Sequence, residues 1–202
     1  MAHITQLSQL DLSASYSYAD YLTWRLNEAV ELIKGKIQLM SPAPNVKHQR
    51  ISWQLSGVLF NYFERKHCSA FSAPFDVRLY DRAKSLLANK DITTVVQPDI
   101  CVICDKEKLD EQGCNGAPDW IIEILSKGNS KKEVKIKHEL YAESGVTEYW
   151  LVFPYEEVIQ QFVLNEQTRH YQLHNNYAGD DVATPYLFPD LALDLPTLFK
   201  DV

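Results

Sequence analysis

PDWIIEILS, residues 118–126, is the stretch on which the fold turns. Read as a strand, it puts Trp120, Ile122 and Ile124 on one face and Ile121, Glu123 and Leu125 on the other. Bulky apolar side chains on both faces mark a central strand covered on both sides. Glu123 interrupts that pattern. An ionised carboxylate in such a place is costly unless it is paired or holds a metal.

The flanking segments give Glu123 its company. Upstream, TTVVQPDICVIC (93–104) reads as one strand with Asp99 following Pro98. A loop containing Gly113 and Gly116 separates the two strands, so they are expected sheet neighbours. If the register allows, Asp99 and Glu123 face each other. Two close carboxylates repel, and one pKa rises unless a cation sits between them. Hard oxygen ligands of this kind suit Mg²⁺ or Mn²⁺.

Downstream, residues 131–144 read as a helix stopped by Gly145, and EYWLVF (148–153) as a strand ended by Pro154. Turning the helix by about 100° per residue defines an apolar arc of Val134, Ile136, Leu140 and Tyr141. Lys137 falls inside that arc, while Lys132, Lys135 and Glu139 fall opposite. The arc packs on the strand that carries Glu123, so Lys137 and Glu123 are candidates for contact. A purely structural Glu–Lys pair fits the same pattern, and Asp99 after a proline also suits a turn. Lys127, Lys131, Lys132, Lys135 and Lys137 crowd eleven residues in which Glu133 is the only acid. That run is either a solvated face or, beside the carboxylates, a contact for a polyanion.

The rest of the chain reads as a short helix over 17–29, then a hairpin in ELIKGKIQLM (31–40) turning at Lys34-Gly35. SPAPN (41–45) breaks the pattern. A helix over His48–Lys66 follows, with Ile51, Leu55, Val58, Leu59, Tyr62 and Phe63 in one stripe. AFSAPFDVRLY (70–80) alternates as a half-buried strand, and VIQQFVL with RHYQLH suggests a last hairpin. The tail LFPDLALDLPTLF has apolar residues to dock but weak periodicity.

With 202 residues, 46% hydrophobic and 23% charged, the chain fits one mixed α/β domain spanning 1–202, with residues 1–16 expected to be loosely ordered. The net charge of −7 argues against simple electrostatic capture of nucleic acid, though not against a local basic patch. No apolar run approaches the roughly 20 residues of a membrane span, and the polar N-terminal stretch does not read as a signal peptide. Four cysteines then suit a reducing cytoplasm. Cys101 and Cys104 spell C-x-x-C, but three residues apart on a strand they point to opposite faces, so ordinary buried cysteines are expected. Cys68 and Cys114 have no spaced partners, and no zinc site is signalled.

VVQPDI, PDWIIEILS and KHELYAESGVTEYWLV, in that order, resemble the Uma-type restriction endonuclease family of bacteria, within the PD-(D/E)XK nuclease superfamily. ELIKGKIQLMSPAPNVKHQRIS, APFDVRLY and the tail share the likeness, from about residue 20 to the C-terminus. The resemblance implies a restriction-endonuclease-like core, a central mixed sheet flanked by helices. It also implies metal-dependent hydrolysis of phosphodiester bonds in DNA, for which a homodimer would suit cleavage of both strands. Asp99 and Glu123 match the metal-binding acids, and Glu31 matches an upstream acid. The superfamily's usual lysine, two residues after the second acid, is Leu125 here; Lys137 matches a lysine that relatives carry on the following helix. His48 and Ser126 match recurrent polar positions and read equally well as a helix-start residue and a turn residue. Departures at Ser126-Lys127-Gly128 and at Glu133 leave the metal ligands intact but alter the loop. They keep open the alternative of a catalytically inactive nuclease-fold binding or scaffold protein.

Overall fold

The structure, a computed structural model, describes residues 3–40, 44–80, 88–128 and 130–200. Ser41, Pro42 and Ala43 of the expected breaker, and residues 81–87 of the polar loop, lie outside them. In chain order the elements are α1 (Tyr18–Tyr21), β1 (Val30–Ile33), β2 (Lys36–Leu39), α2 (Val46–Phe63), β3 (Ser69–Ser72), β4 (Val77–Arg78), β5 (Val95–Val96) and β6 (Ile100–Ile103). There follow β7 (Leu109–Asp110), β8 (Gly113–Asn115), β9 (Trp120–Ile124), α3 (Lys131–Ser144), β10 (Glu148–Phe153), β11 (Val158–Asn165) and β12 (His170–Ala178). A small pair, β13 (Val182–Ala183) and β14 (Leu193–Asp194), precedes α4 (Leu195–Leu198).

Two sheets of six strands carry the fold, in the orders β12-β11-β10-β9-β6-β3 and β2-β1-β5-β4-β8-β7. In the first, β9 and β10 run parallel, joined by α3, and the remaining pairs are antiparallel. β9 is central and buried along its whole length, as its apolar faces require. Trp120, Ile122 and Ile124 pack with α2 and the C-terminal segment, including Leu195, Leu198 and Phe199. Ile121 and Leu125 face the other way, toward Leu140 and Tyr141 of α3 and Val77 and Val96 of the second sheet. Glu123 therefore points at the seam between the sheets.

Both long strand readings upstream divide at a proline. β3 and β4 are separate strands in different sheets, parted around the cis Ala73–Pro74 bond. β5 and β6 are parted likewise by Gln97-Pro98-Asp99. Proline lacks the ladder donor and fixes φ, so each run crosses from one sheet to the other there. The Lys34-Gly35 turn has φ of 51° and 80°, the two positive angles of a type I′ hairpin. A side chain at Gly35 would strike Ser15. The helix expected over 17–29 is only α1, capped by Ser17. Beyond it the backbone N–H of Arg25 donates to the carbonyl of Ile4 and Trp24 bridges Ile4, so this stretch pairs with the N-terminal segment instead. Within that segment Leu10 is buried with Tyr18, Trp24 and Leu32. The cysteine expectation is corrected as well. Cys68 and Cys104 form a disulfide, because the antiparallel register of β3 and β6 sets them side by side. Cys101 and Cys114 are free and buried.

Candidate active site

Five segments of the chain bring charged side chains to the seam. β6 and β9 pair with Ile100 opposite Ile122, and that register continued by one residue sets Asp99 opposite Glu123. Asp99 Oδ2 accepts a hydrogen bond from the Ile124 backbone N–H at 2.7 Å. Its Oδ1 lies 3.1 Å from Nε2 of His48, which is buried in the first turn of α2. Asn45 caps that turn by accepting from the His48 N–H.

Lys137 reaches the site from α3. Its Nζ lies 3.0 Å from Glu123 Oε1 and 3.1 Å from Glu31 Oε1, bridging an acid of each sheet. α3 is fixed at both ends, by the Ser130–Glu133 capping box and by Gly145 at φ 89°. Glu31, buried in β1, also accepts from the Gln97 N–H at 2.9 Å. The inward turn of Lys137 and the shared face of Glu123 and Leu125 are thus as the periodicities indicate.

Burial raises the Glu123 carboxyl to about 7; Lys137 and the Tyr141 hydrogen bond pull against that rise, and Asp99 and Glu31 add to it. The Lys137 pKa is raised as well: burial disfavours its charge, but Glu123 and Glu31 more than compensate and hold it protonated. Burial also opposes the charge on His48, and Asp99 outweighs it, so its pKa rises. Three carboxyl groups thus converge on one ammonium and one imidazole in a desolvated seam.

Two contributors escaped the sequence reading. The Tyr141 hydroxyl donates to Glu123 Oε1 at 2.6 Å; its signal was its place on the apolar arc, four residues after Lys137. Gln97 links the site to Asp76 through its side-chain amide at 2.8 Å, and Tyr18 donates to the other Asp76 oxygen at 2.7 Å. Ser126 stands on the turn after β9 with its hydroxyl close over Gly128. Beside that turn, Lys127 lies 4.5 Å and Lys47 5.4 Å from the centroid of the Tyr155 ring.

An acid cluster where two sheets meet, with a lysine from the crossover helix, places the chain in a class of α/β proteins built around a charged sheet junction. Residues 18–196 match the Uma2 family, described as "Putative restriction endonuclease", and the chain belongs to that family. A solved structure from Anabaena variabilis ATCC 29413, described as "a putative nuclease belonging to DUF820", shares the fold with a TM-score of 0.69. It is 23% identical, over 91% of this chain and 97% of that one. No curated protein matches the chain. Among the described residues, no helix is long and apolar enough to cross a membrane.

Proposed function

We propose that the chain is a divalent-metal-dependent endonuclease that hydrolyses phosphodiester bonds of DNA. The observation that carries this reading is the convergence of three buried or part-buried carboxyl groups, Glu31, Asp99 and Glu123, on Lys137 and His48 at the seam. All three acids offer hard oxygen donors, the ligand type that suits Mg²⁺ or Mn²⁺, so the donor set fits the group. Asp99 and Glu123 would hold the ion, with Glu31 as a further ligand. Bound there, a divalent cation supplies Lewis-acid polarisation of a phosphoryl oxygen and a water of lowered pKa.

The protein's own groups then have distinct tasks. Lys137, held protonated, orients the attacking water or stabilises charge developing on the phosphate. His48, seated at the start of α2, keeps Asp99 in place and presents a cationic edge when protonated. Tyr141 fixes the Glu123 rotamer. Lys47 and Lys127 flank Tyr155 beside the turn that follows β9. A phosphate backbone is the partner that this local basic rim suits, despite the acidic chain.

One observation favours the second reading, an inactive nuclease-fold binding or scaffold protein. Among the described residues the ligand oxygens of Glu31, Asp99 and Glu123 do not all come within 4.8 Å of one another. Lys137 already satisfies two of the acids, so admitting an ion requires those side chains to swing. Plasmid nicking separates the readings. The purified chain with Mg²⁺ or Mn²⁺ is expected to nick supercoiled DNA, and Glu123→Gln is expected to abolish this while leaving the fold intact. Unchanged nicking by Glu123→Gln refutes the assignment. DNA binding with no metal affinity selects the second reading.

A further inference from the structure

Away from the acids, soft donors meet at the edge of the first sheet. Cys68 ends the loop after α2 and leads into β3; Cys104 follows β6. Their Cα atoms are 3.9 Å apart and their sulfurs are joined. The ring of His67 stands against the pair, with Nε2 3.3 Å from Cys68 Sγ. Among the described residues these three form the one group of His, Cys, Asp or Glu side chains whose ligand atoms all lie within 4.8 Å. His67 is exposed, Cys104 half-buried and Cys68 buried, so the cluster opens to solvent on its imidazole side.

Two thiolates and an imidazole nitrogen are the donors of tetrahedral zinc sites, and three protein ligands leave the fourth position to water. We propose that His67, Cys68 and Cys104, when the disulfide is reduced, form a site for a thiophilic divalent ion such as Zn²⁺. Reduction by a dithiol breaks the S–S bond, delivers two electrons and two protons, and leaves two thiols, while the dithiol becomes its own disulfide. The metal then displaces both thiol protons. Hydrogen peroxide reverses the state: with two protons and the two electrons given up by the thiolates it becomes two waters, the two sulfurs close to the disulfide, and the ion leaves. Disulfide and metal thus exclude each other at one place. Either one fastens the end of α2 and the edge strand β3 to β6, the strand that begins just after Asp99.

The test uses the full chain, reduced with a phosphine that is then removed, and Co²⁺ or Zn²⁺ as the probe. Co²⁺ is expected to bind once per chain with an intense thiolate-to-cobalt absorption and tetrahedral visible bands. Zn²⁺ is expected to bleach them, and peroxide to expel the ion. Carboxylate binding at the seam gives no thiolate band, so the readout is independent of the nuclease reading, and Glu123→Gln should not alter it. Cys104→Ser should abolish the band. His67→Ala, an exposed substitution that spares the sulfurs, should weaken binding at least about tenfold. A reduced chain without the thiolate band overturns the proposal, as does a band that survives in Cys104→Ser or an affinity unmoved by His67→Ala.

Discussion

Replacing Glu123 by glutamine separates a functional acid from a structural ion pair by the sign of its effect on stability. The Glu123 carboxyl is held at about 7 against an ordinary 4.5, chiefly by burial, with Lys137 opposing the rise. At about 1.4 kcal/mol per pH unit, ionised Glu123 costs the fold about 3 kcal/mol. The folded protein keeps the proton over a range in which the unfolded chain has released it. Its stabilising contribution is therefore complete below pH 4.5 and is lost as pH rises through about 7. Glutamine removes the charge but keeps an acceptor for the Tyr141 hydroxyl and the Lys137 ammonium, and Lys137 retains Glu31 at 3.1 Å. In chelator-treated protein, urea unfolding near pH 8 should show Glu123→Gln more stable than the native chain by up to about 3 kcal/mol. Near pH 4.5 the two should converge. Cleavage should be lost at both. If the variant instead loses about 3–5 kcal/mol at both pH values, as a broken buried pair does, the pair is structural and the reasoning fails.

Lys137→Met leaves Glu31 and Glu123 without the ammonium they share. It should cost about 3–5 kcal/mol in urea unfolding without metal, and should lower cleavage while calorimetric Mg²⁺ affinity holds or rises. Equal loss of cleavage and affinity would contradict its proposed role. Tyr141→Phe deletes the 2.6 Å hydrogen bond to Glu123; about 1–2 kcal/mol of stability should go, and the acid limb of the pH–cleavage profile should move to higher pH. Arg78 is 1% exposed and donates to Asp110, Asn89 and the Cys114 carbonyl. Arg78→Met should destabilise by about 3 kcal/mol, seen as a fall of several degrees in thermal midpoint, with Mg²⁺ affinity unchanged.

The central part of the fold was readable because its signals are local and periodic. Alternation in 120–125 set the two faces of β9, and a 100° turn per residue set Lys137 inward; the side-chain contacts agree. What escaped depends on register between distant segments. Cys68 meets Cys104 only because Ser69 pairs with Ile103, and a separation of 36 residues carries no spacing signal. The two long strands hid their breaks because alternation continues across Pro74 and Pro98 while the chain changes sheets. Burial of Glu148 was equally silent. It follows from donors gathered from three places, the side chains of Trp150 and Gln161 and the backbone of Tyr186 and Leu187.

A lysine on the helix rather than at position 125 of the strand has a physical consequence. Position 125 shares a face with Glu123, and a lysine there would answer to β9 alone. Leu125 instead joins the apolar packing of that face. Because the crossover lays α3 over the same face, an inward side chain one helical turn before Tyr141 arrives at Glu123 from above. From there it also touches Glu31, which belongs to the other sheet. The ammonium thus holds two sheets together while it serves the acids, so any step that draws Lys137 toward a phosphate must loosen that tie. A divalent ion taken up between the acids would restore the lost positive charge. On this argument metal should raise the unfolding midpoint of Lys137→Met more than that of the native chain.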